Sequence, residues 1–155
     1  MLHLHHFQQP YDGACLTTCV QMVLSSSGID LSFAQIFAAL DARPFGTPSF
    51  AVQRLHVLGL QVDYRPRTLM DAMTDIQQHC PLICFVRTQF LDHWAKDVSH
   101  AVVVVEIDPE QRFWIHDPWL AGGPTPVSWD GFLAAWTEFD FRSVTLTPIM
   151  QRRRS

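Results

Sequence analysis

His100-Ala-Val-Val-Val-Val-Glu-Ile107, Asp108-Pro-Glu-Gln111 and Arg112-Phe-Trp-Ile-His-Asp117 follow one another without a break. The outer two segments are of strand length and rich in Val, Ile and aromatic side chains, which pack well on a pleated surface. The four residues between them are turn formers. An antiparallel hairpin is therefore predicted. A turn centred between Pro109 and Glu110 sets Asp117 opposite Val102, which shares a face with His100 because strand side chains alternate. His100 and Asp117 then form a diagonal pair within imidazole–carboxylate reach. His116 pairs with Val103 and points to the other face. An odd-length turn or a bulge would reverse this parity.

Outward from the hairpin, Leu82–Val86 and Phe141–Thr147 share its β-rich composition, and Leu60-Gln-Val-Asp-Tyr64 alternates like a further strand. The first part of the chain is helical instead. Leu16, Cys19, Val20, Val23 and Leu24 recur at three- and four-residue spacing, which predicts a helix from near Asp12-Gly-Ala-Cys15 to about Ser26. Asp12 is placed to cap its start and Gly28 to make a left-handed exit. Ser32 and Gln35 form a capping-box pattern ahead of Phe33, Ile36, Phe37 and Leu40. A third helix is expected from Thr47-Pro48, with Pro in the first helical position, to Gly59. Leu69–His79 and the short amphipathic stretch Trp129–Trp136 complete the helices. Helices first and antiparallel strands afterwards is the α+β pattern.

The 155 residues, 48% of them apolar and 17% charged, are enough for one folded domain and too apolar for general disorder. We expect that domain over residues 1–150 and a basic tail over 151–155. The net charge is −4 and no basic face stands out beyond Arg152–Arg154, so nucleic acid is not an expected partner. The longest apolar run, Ala101–Val105, is far short of the roughly 18 residues a membrane span needs. Met1-Leu-His-Leu-His-His lacks a Lys/Arg start followed by an apolar stretch, so no secretory signal is read there. A cytoplasmic protein with free thiols at Cys15, Cys19, Cys80 and Cys84 is the expectation, with signal-free export as an effector left open.

Cys15 falls at or just inside the start of the first helix. Unpaired N–H groups and the helix dipole favour a thiolate there, and cysteines so placed have pKa values lowered from about 8.5 to roughly 3.5–7.5. Cys19 lies one turn on, in the apolar stripe, where a thiol behaves as a small hydrophobe. A thiolate nucleophile needs a base, and the base needs an orienter. Singly, His100 reads as a strand-end histidine and Asp117-Pro118 as a turn former. Their shared face, with a helix-start cysteine upstream, makes them the candidate base and orienter. Gln9, six residues before Cys15, has an amide that could join the Cys15 backbone N–H in an oxyanion hole. Gln8 is an equally polar neighbour, and a surface glutamine is the plain alternative.

Taken together, Gln9-x5-Cys15-x6-Met22-Val-Leu24-x3-Gly28, then Gly46-Thr47, Pro81-Leu-Ile83, His100-Ala-Val-Val-Val104 and Asp117-Pro118, resemble the papain-like cysteine peptidases. The resemblance is to the bacteriocin-processing, double-glycine-leader peptidase family and its stand-alone relatives, over about Phe7 to Asp117 and loosely through the last strand. It implies a papain-like fold, with Cys15 as nucleophile, His100 as general base and acid, Asp117 as orienter and Gln9 as oxyanion donor. It implies no cofactor and no metal. The expected partner is a peptide or protein substrate, in a setting that includes a larger secretion, maturation or effector assembly. Leader peptidases usually carry Asp before the nucleophile and Gly after it, whereas this chain has Ala14 and Leu16. Cys-x3-Cys-x2-Met and Asp-Pro-Trp119 are also similar to secreted papain-like effector proteases, which usually have Trp after the nucleophile.

The expected chemistry is acyl transfer, most simply peptide hydrolysis, although the same triad serves deamidation, transglutamination or transfer to an amine. Gly122-Gly123 and the Arg87–Ser99 loop with Trp94 are the expected walls and lids. Two other classes compete. The four cysteines could form a four-thiolate zinc site, but both pairs have x3 spacing and Cys19 lies on a packed face. His3-x-His5-His6 reads as an exposed polar terminus rather than a metal site. A non-catalytic papain-like domain that binds a peptide is the remaining class. Degenerate versions usually lose the Cys or the His, and this chain retains both.

Overall fold

The computed structural model describes residues 1–149, so the tail expected over 151–155 lies outside the described residues. Six strands form one antiparallel sheet: β1 (Leu60–Pro66), β2 (Leu82–Arg87), β3 (Ser99–Asp108), β4 (Arg112–His116), β5 (Thr125–Ser128) and β6 (Arg142–Pro148). Their spatial order is β1-β6-β2-β3-β4-β5. The helices are α1 (Cys15–Ser26), α2 (Phe33–Leu40), α3 (Leu69–Gln77) and α4 (Trp129–Thr137), with a 3-10 segment at Ser49–Leu58.

The alternation in β3 divides the interior. Ala101, Val103 and Val105 join Cys19, Val20 and Val23 of α1 in one core, while Val102 and Val104 join Phe113, Phe132 and Trp136 in the other. Helices α1 and α2 thus cover one face of the sheet, and α3 and α4 the opposite face. Among the described residues, no helix is long and apolar enough to cross a membrane.

The hairpin reaches the expected pairing by two departures that cancel. Its turn has three residues rather than two: Asp108 pairs with Arg112, and Gln111 takes a left-handed φ of 64°. A bulge between Val104 and Glu106 then shifts the register back, so that Val103 pairs with His116. The odd turn and the bulge each reverse the parity, and together they restore it.

Local sequence explains most element boundaries. Ser32 and Gln35 make the capping box of α2, and Thr68 with Asp71 makes a second one at α3. Asp12 does not cap α1. The N-cap is Ala14, without a side-chain bond, because the chain turns over at Gly13 before the helix starts. Gly13 has φ +86°, and a Cβ there would lie 2.7 Å from Pro44 O and 2.8 Å from the Phe45 carbonyl carbon. Backbone packing of the 44–46 loop thus sets the helix start. The third helix is 3-10, with Pro48 as its cap rather than its first residue. Burial of Ala51, Val52 and Leu55 is satisfied by a three- or a four-residue turn, so their spacing did not discriminate. Strand β5, not foreseen, carries Pro126 and buries only Val127, which is tolerable at a sheet edge.

The N-terminal segment straps across the end of β4. Gln9 N donates to Pro118 O at 2.6 Å, Gln8 Nε2 to Trp119 O at 3.2 Å, and His6 Nε2 to Leu120 O at 2.7 Å. His6 Nδ1 and His116 Nδ1 share a proton at 2.9 Å, on the side of the strand away from His100. Burial first, then neighbouring His6 and His3, pull the His116 imidazole down to about 4.

Candidate active site

Cys15 is the first residue of α1, half-buried, with a helix start free of any side-chain cap. It opens onto a cleft of about 1050 Å³ whose lining also includes Gln9, Trp94, His100 and Trp119. His100 is the second residue of β3 and is buried. Asp117 follows β4 directly and is 0% exposed.

His100 Nε2 donates to Asp117 Oδ1 at 2.6 Å. That bond commits Nε2 and leaves Nδ1 as the other ring nitrogen, on a histidine that lines the same cleft as Cys15. Burial works to lower the His100 pKa, but the bond to Asp117, the neighbouring Cys15 thiol and the charges of both outweigh it and hold the imidazole up at about 9. Burial works to raise Asp117, yet hydrogen bonds from His100 and His93, the imidazole charge and the Trp119 N–H keep it well below the carboxylate range.

Asp117 is saturated with donors. Trp119 N–H shares Oδ1 at 2.9 Å, while His93 Nε2 and Trp94 Nε1 reach Oδ2 at 2.7 and 2.8 Å. The Trp94 ring stands edge-on to His100 with centroids 4.9 Å apart, and packs on Trp119 at 4.2 Å. The two indoles wall the imidazole–carboxylate pair from solvent. The Arg87–Ser99 loop is one wall, but it is braced rather than free. Buried Thr88 donates from Oγ1 to Lys96 O at 2.6 Å and accepts from Val98 N at 2.8 Å. Gly122-Gly123 is not a wall: Gly123 covers the His6–His116 pair, with its Cβ position 3.0 Å from each Nδ1.

The two glutamines separate. Gln8 turns to Trp119 O, while Gln9 lines the cleft, donating from Nε2 to Tyr11 O at 3.0 Å. Gln9 Oε1 is enclosed and has no partner among the described residues.

The four thiols do not converge. Cys19 and Cys84 lie in the two cores on opposite faces of the sheet. Burial pushes Cys19 and Cys84 far up and Cys80 up as well, which keeps all three protonated. Among the described residues, no group of three or more His, Cys, Asp or Glu could hold a metal ion.

Reading the sequence missed His93, which sits in a loop without periodicity. It also missed Phe45 and Phe50, which line the cleft and are exposed. An apolar residue inside the turn-forming run Pro44-Phe-Gly46 was the available signal for the first of these.

A sequence model of the Peptidase_C39 like family matches residues 1–144. Solved structures share the fold. A candidate C39-like peptidase from Bacillus anthracis superposes with a TM-score of 0.77 at 14% identity, covering 99% of this chain and 98% of that one. The peptidase domain of Streptococcus ComA, a bifunctional ABC transporter of a quorum-sensing pathway, gives 0.74 at 20% identity, covering 96% and 99%. A double-glycine-motif protease from an AMS/PCAT transporter, solved with its leader peptide, gives 0.69 at 14% identity, covering 95% and 93%. No curated protein matches the sequence. The α+β architecture is the papain-like fold of these peptidase domains.

Proposed function

The chain belongs to the Peptidase_C39 like family, and on that premise we propose that it is a cysteine peptidase working through Cys15, His100 and Asp117. One observation carries the reading. A single buried imidazole bonds Asp117 through Nε2 at 2.6 Å and lines the same cleft as the thiol of a helix-start cysteine, which helps to hold its pKa up. In that arrangement Asp117 fixes the tautomer that aims Nδ1 at Sγ. His100 takes the thiol proton, Sγ attacks the scissile carbonyl, and the same imidazole returns the proton to the leaving amine. Water, deprotonated by His100, then releases the acyl group. The Cys15 backbone N–H and a Gln9 Nε2 proton are assigned to the oxyanion.

The substrate is a peptide or protein segment laid along the cleft, consistent with the leader peptide held by one structural neighbour. We place the protein in the cytoplasm, as a single peptidase domain over residues 1–150, serving a secretion, maturation or effector assembly.

Incubation with a diverse peptide mixture, with products read by mass spectrometry, tests the reading. Hydrolysis products that disappear in Cys15→Ala and His100→Ala are expected. Mass shifts of one dalton on glutamine, without chain cleavage, would replace peptidase by deamidase. Tight peptide binding with no product would leave a binding domain.

A further inference from the structure

Asp117 is held by two histidines, not one. His93 Nε2 reaches Oδ2 at 2.7 Å while His100 Nε2 reaches Oδ1 at 2.6 Å. A carboxylate is loosely held about its last torsion, because a terminal sp3–sp2 bond has a broad, two-fold profile. The donors on Oδ1 are His100, the group that this oxygen has to align, and the Trp119 N–H. The donors on Oδ2 come from elsewhere, on consecutive residues of the braced Thr88–Val98 loop. That loop is tied at its base by Thr88, by the Arg87–Asp97 ion pair and by the Trp94 N–H bond to Leu91 O. It is therefore a fixed point from which the far oxygen can be gripped.

We propose that His93 is a positioning residue, which pins Asp117 Oδ2 so that Oδ1 stays in line with His100. The proposal rests on the peptidase reading above and adds to it a residue outside the Cys–His–Asp set. Without His93, one lone pair of a fully buried carboxylate loses its donor, and Trp94 is left as the one donor on Oδ2. His93 is not among the residues that line the cleft and acts only through Asp117.

The test compares His93→Ala, His93→Gln and His93→Phe. Glutamine places an amide N–H near the position of Nε2, and phenylalanine keeps the ring volume without a donor. The rate of Cys15 alkylation by iodoacetamide at neutral pH, read by mass spectrometry, is expected to fall roughly tenfold or more in His93→Ala, the scale of a buried unsatisfied acceptor. His93→Gln should recover to within about threefold, and His93→Phe should not. A second arm needs no reaction at Cys15. The His100 Nε2 proton, shielded and bound to Asp117, should give a downfield NMR resonance in Cys15→Ala protein and in its His93→Gln double variant, and lose it in the His93→Ala double variant. A resonance that persists with alanine, or recovery by phenylalanine as complete as by glutamine, overturns the positioning role. If instead the unsubstituted protein alkylates Cys15 no faster than Cys80, and His100→Ala changes nothing, the peptidase reading fails while the NMR arm still decides the role of His93.

Discussion

His100 and Asp117 meet at 2.6 Å, with the carboxylate fully enclosed and every one of its acceptor directions used. Such a pair is not an inexpensive source of stability, because burying two charges costs about as much as their attraction returns. Its value lies in fixed geometry. Asp117→Asn keeps the shape but removes the charge and sets an N–H against donors, either His100 with the Trp119 N–H or His93 with Trp94, whichever way the amide turns. Peptide hydrolysis by that variant is expected to fall by roughly 10³–10⁴ in kcat, measured under saturating substrate. Asp117→Ala strands four donors and should also lower unfolding free energy by about 3–5 kcal/mol, read by urea titration.

The pH dependence of stability follows from the same pair, and its two limbs have opposite signs. His100 is held above its unfolded value of about 6.5, so its contribution is complete below that pH and is lost as pH rises through about 9. Asp117 is held below its unfolded value, so its contribution is present above about pH 4 and is lost as pH falls further. Thermal scans from pH 3 to 10 should show a plateau with a decline on the alkaline side near pH 9. His100→Gln, which removes the alkaline titration, should flatten that decline and leave the acid limb in place.

Phe45 separates binding from folding. It is 99% exposed and lines the cleft, so it contributes nothing to the core while standing on the wall of the proposed binding site. Phe45→Ser should change unfolding free energy by no more than about 0.5 kcal/mol. Michaelis kinetics on a cleaved peptide should show a raised KM with kcat little changed, the pattern of a residue that binds ground and transition state alike. An equal fall in kcat would mean that the 44–46 loop, not the ring, had been disturbed.

How much of this was legible beforehand depends on the range of the forces involved. The apolar stripe of α1 and the Ser32–Gln35 capping box are local, and both helices stand where their residues indicate. The facing of His100 and Asp117 was legible only because an unforeseen three-residue turn and an unforeseen bulge at Val105 reverse parity twice. Hairpin parity is a weak inference whenever turn length is unknown. His93 could not be read at all, since it meets Asp117 from a loop 24 residues away with no periodic pattern to orient it. The separation of Gln8 from Gln9 likewise depends on the tertiary strap along Pro118, Trp119 and Leu120. Asp12 was misread as a cap because the backbone packing that sets the start of α1 leaves no side-chain signature except a glycine.

That glycine supports the last prediction. Gly13 stands two residues before Cys15 at φ +86°, with Pro44 O, the Phe45 carbonyl carbon and Gly46 N all within 3.0 Å of where a Cβ would lie. All three are backbone atoms, so an added methyl cannot be absorbed by turning a side chain. Either the 44–46 loop moves out or the start of α1 moves in. Gly13→Ala should lower unfolding free energy by about 1–3 kcal/mol, from the positive φ and the forced displacement together. The more telling readout is local. If the helix start shifts, Sγ leaves the line to His100, and Cys15 alkylation should slow far more than global stability explains. Gly28→Ala is the control, because Gly28 has a comparable φ of +76° with nothing within 4 Å of its Cβ position. It should cost about 1 kcal/mol and leave the alkylation rate of Cys15 unchanged. Equal effects of the two substitutions on that rate would show that Gly13 acts through backbone strain alone and not by seating the loop against the helix start that carries Cys15.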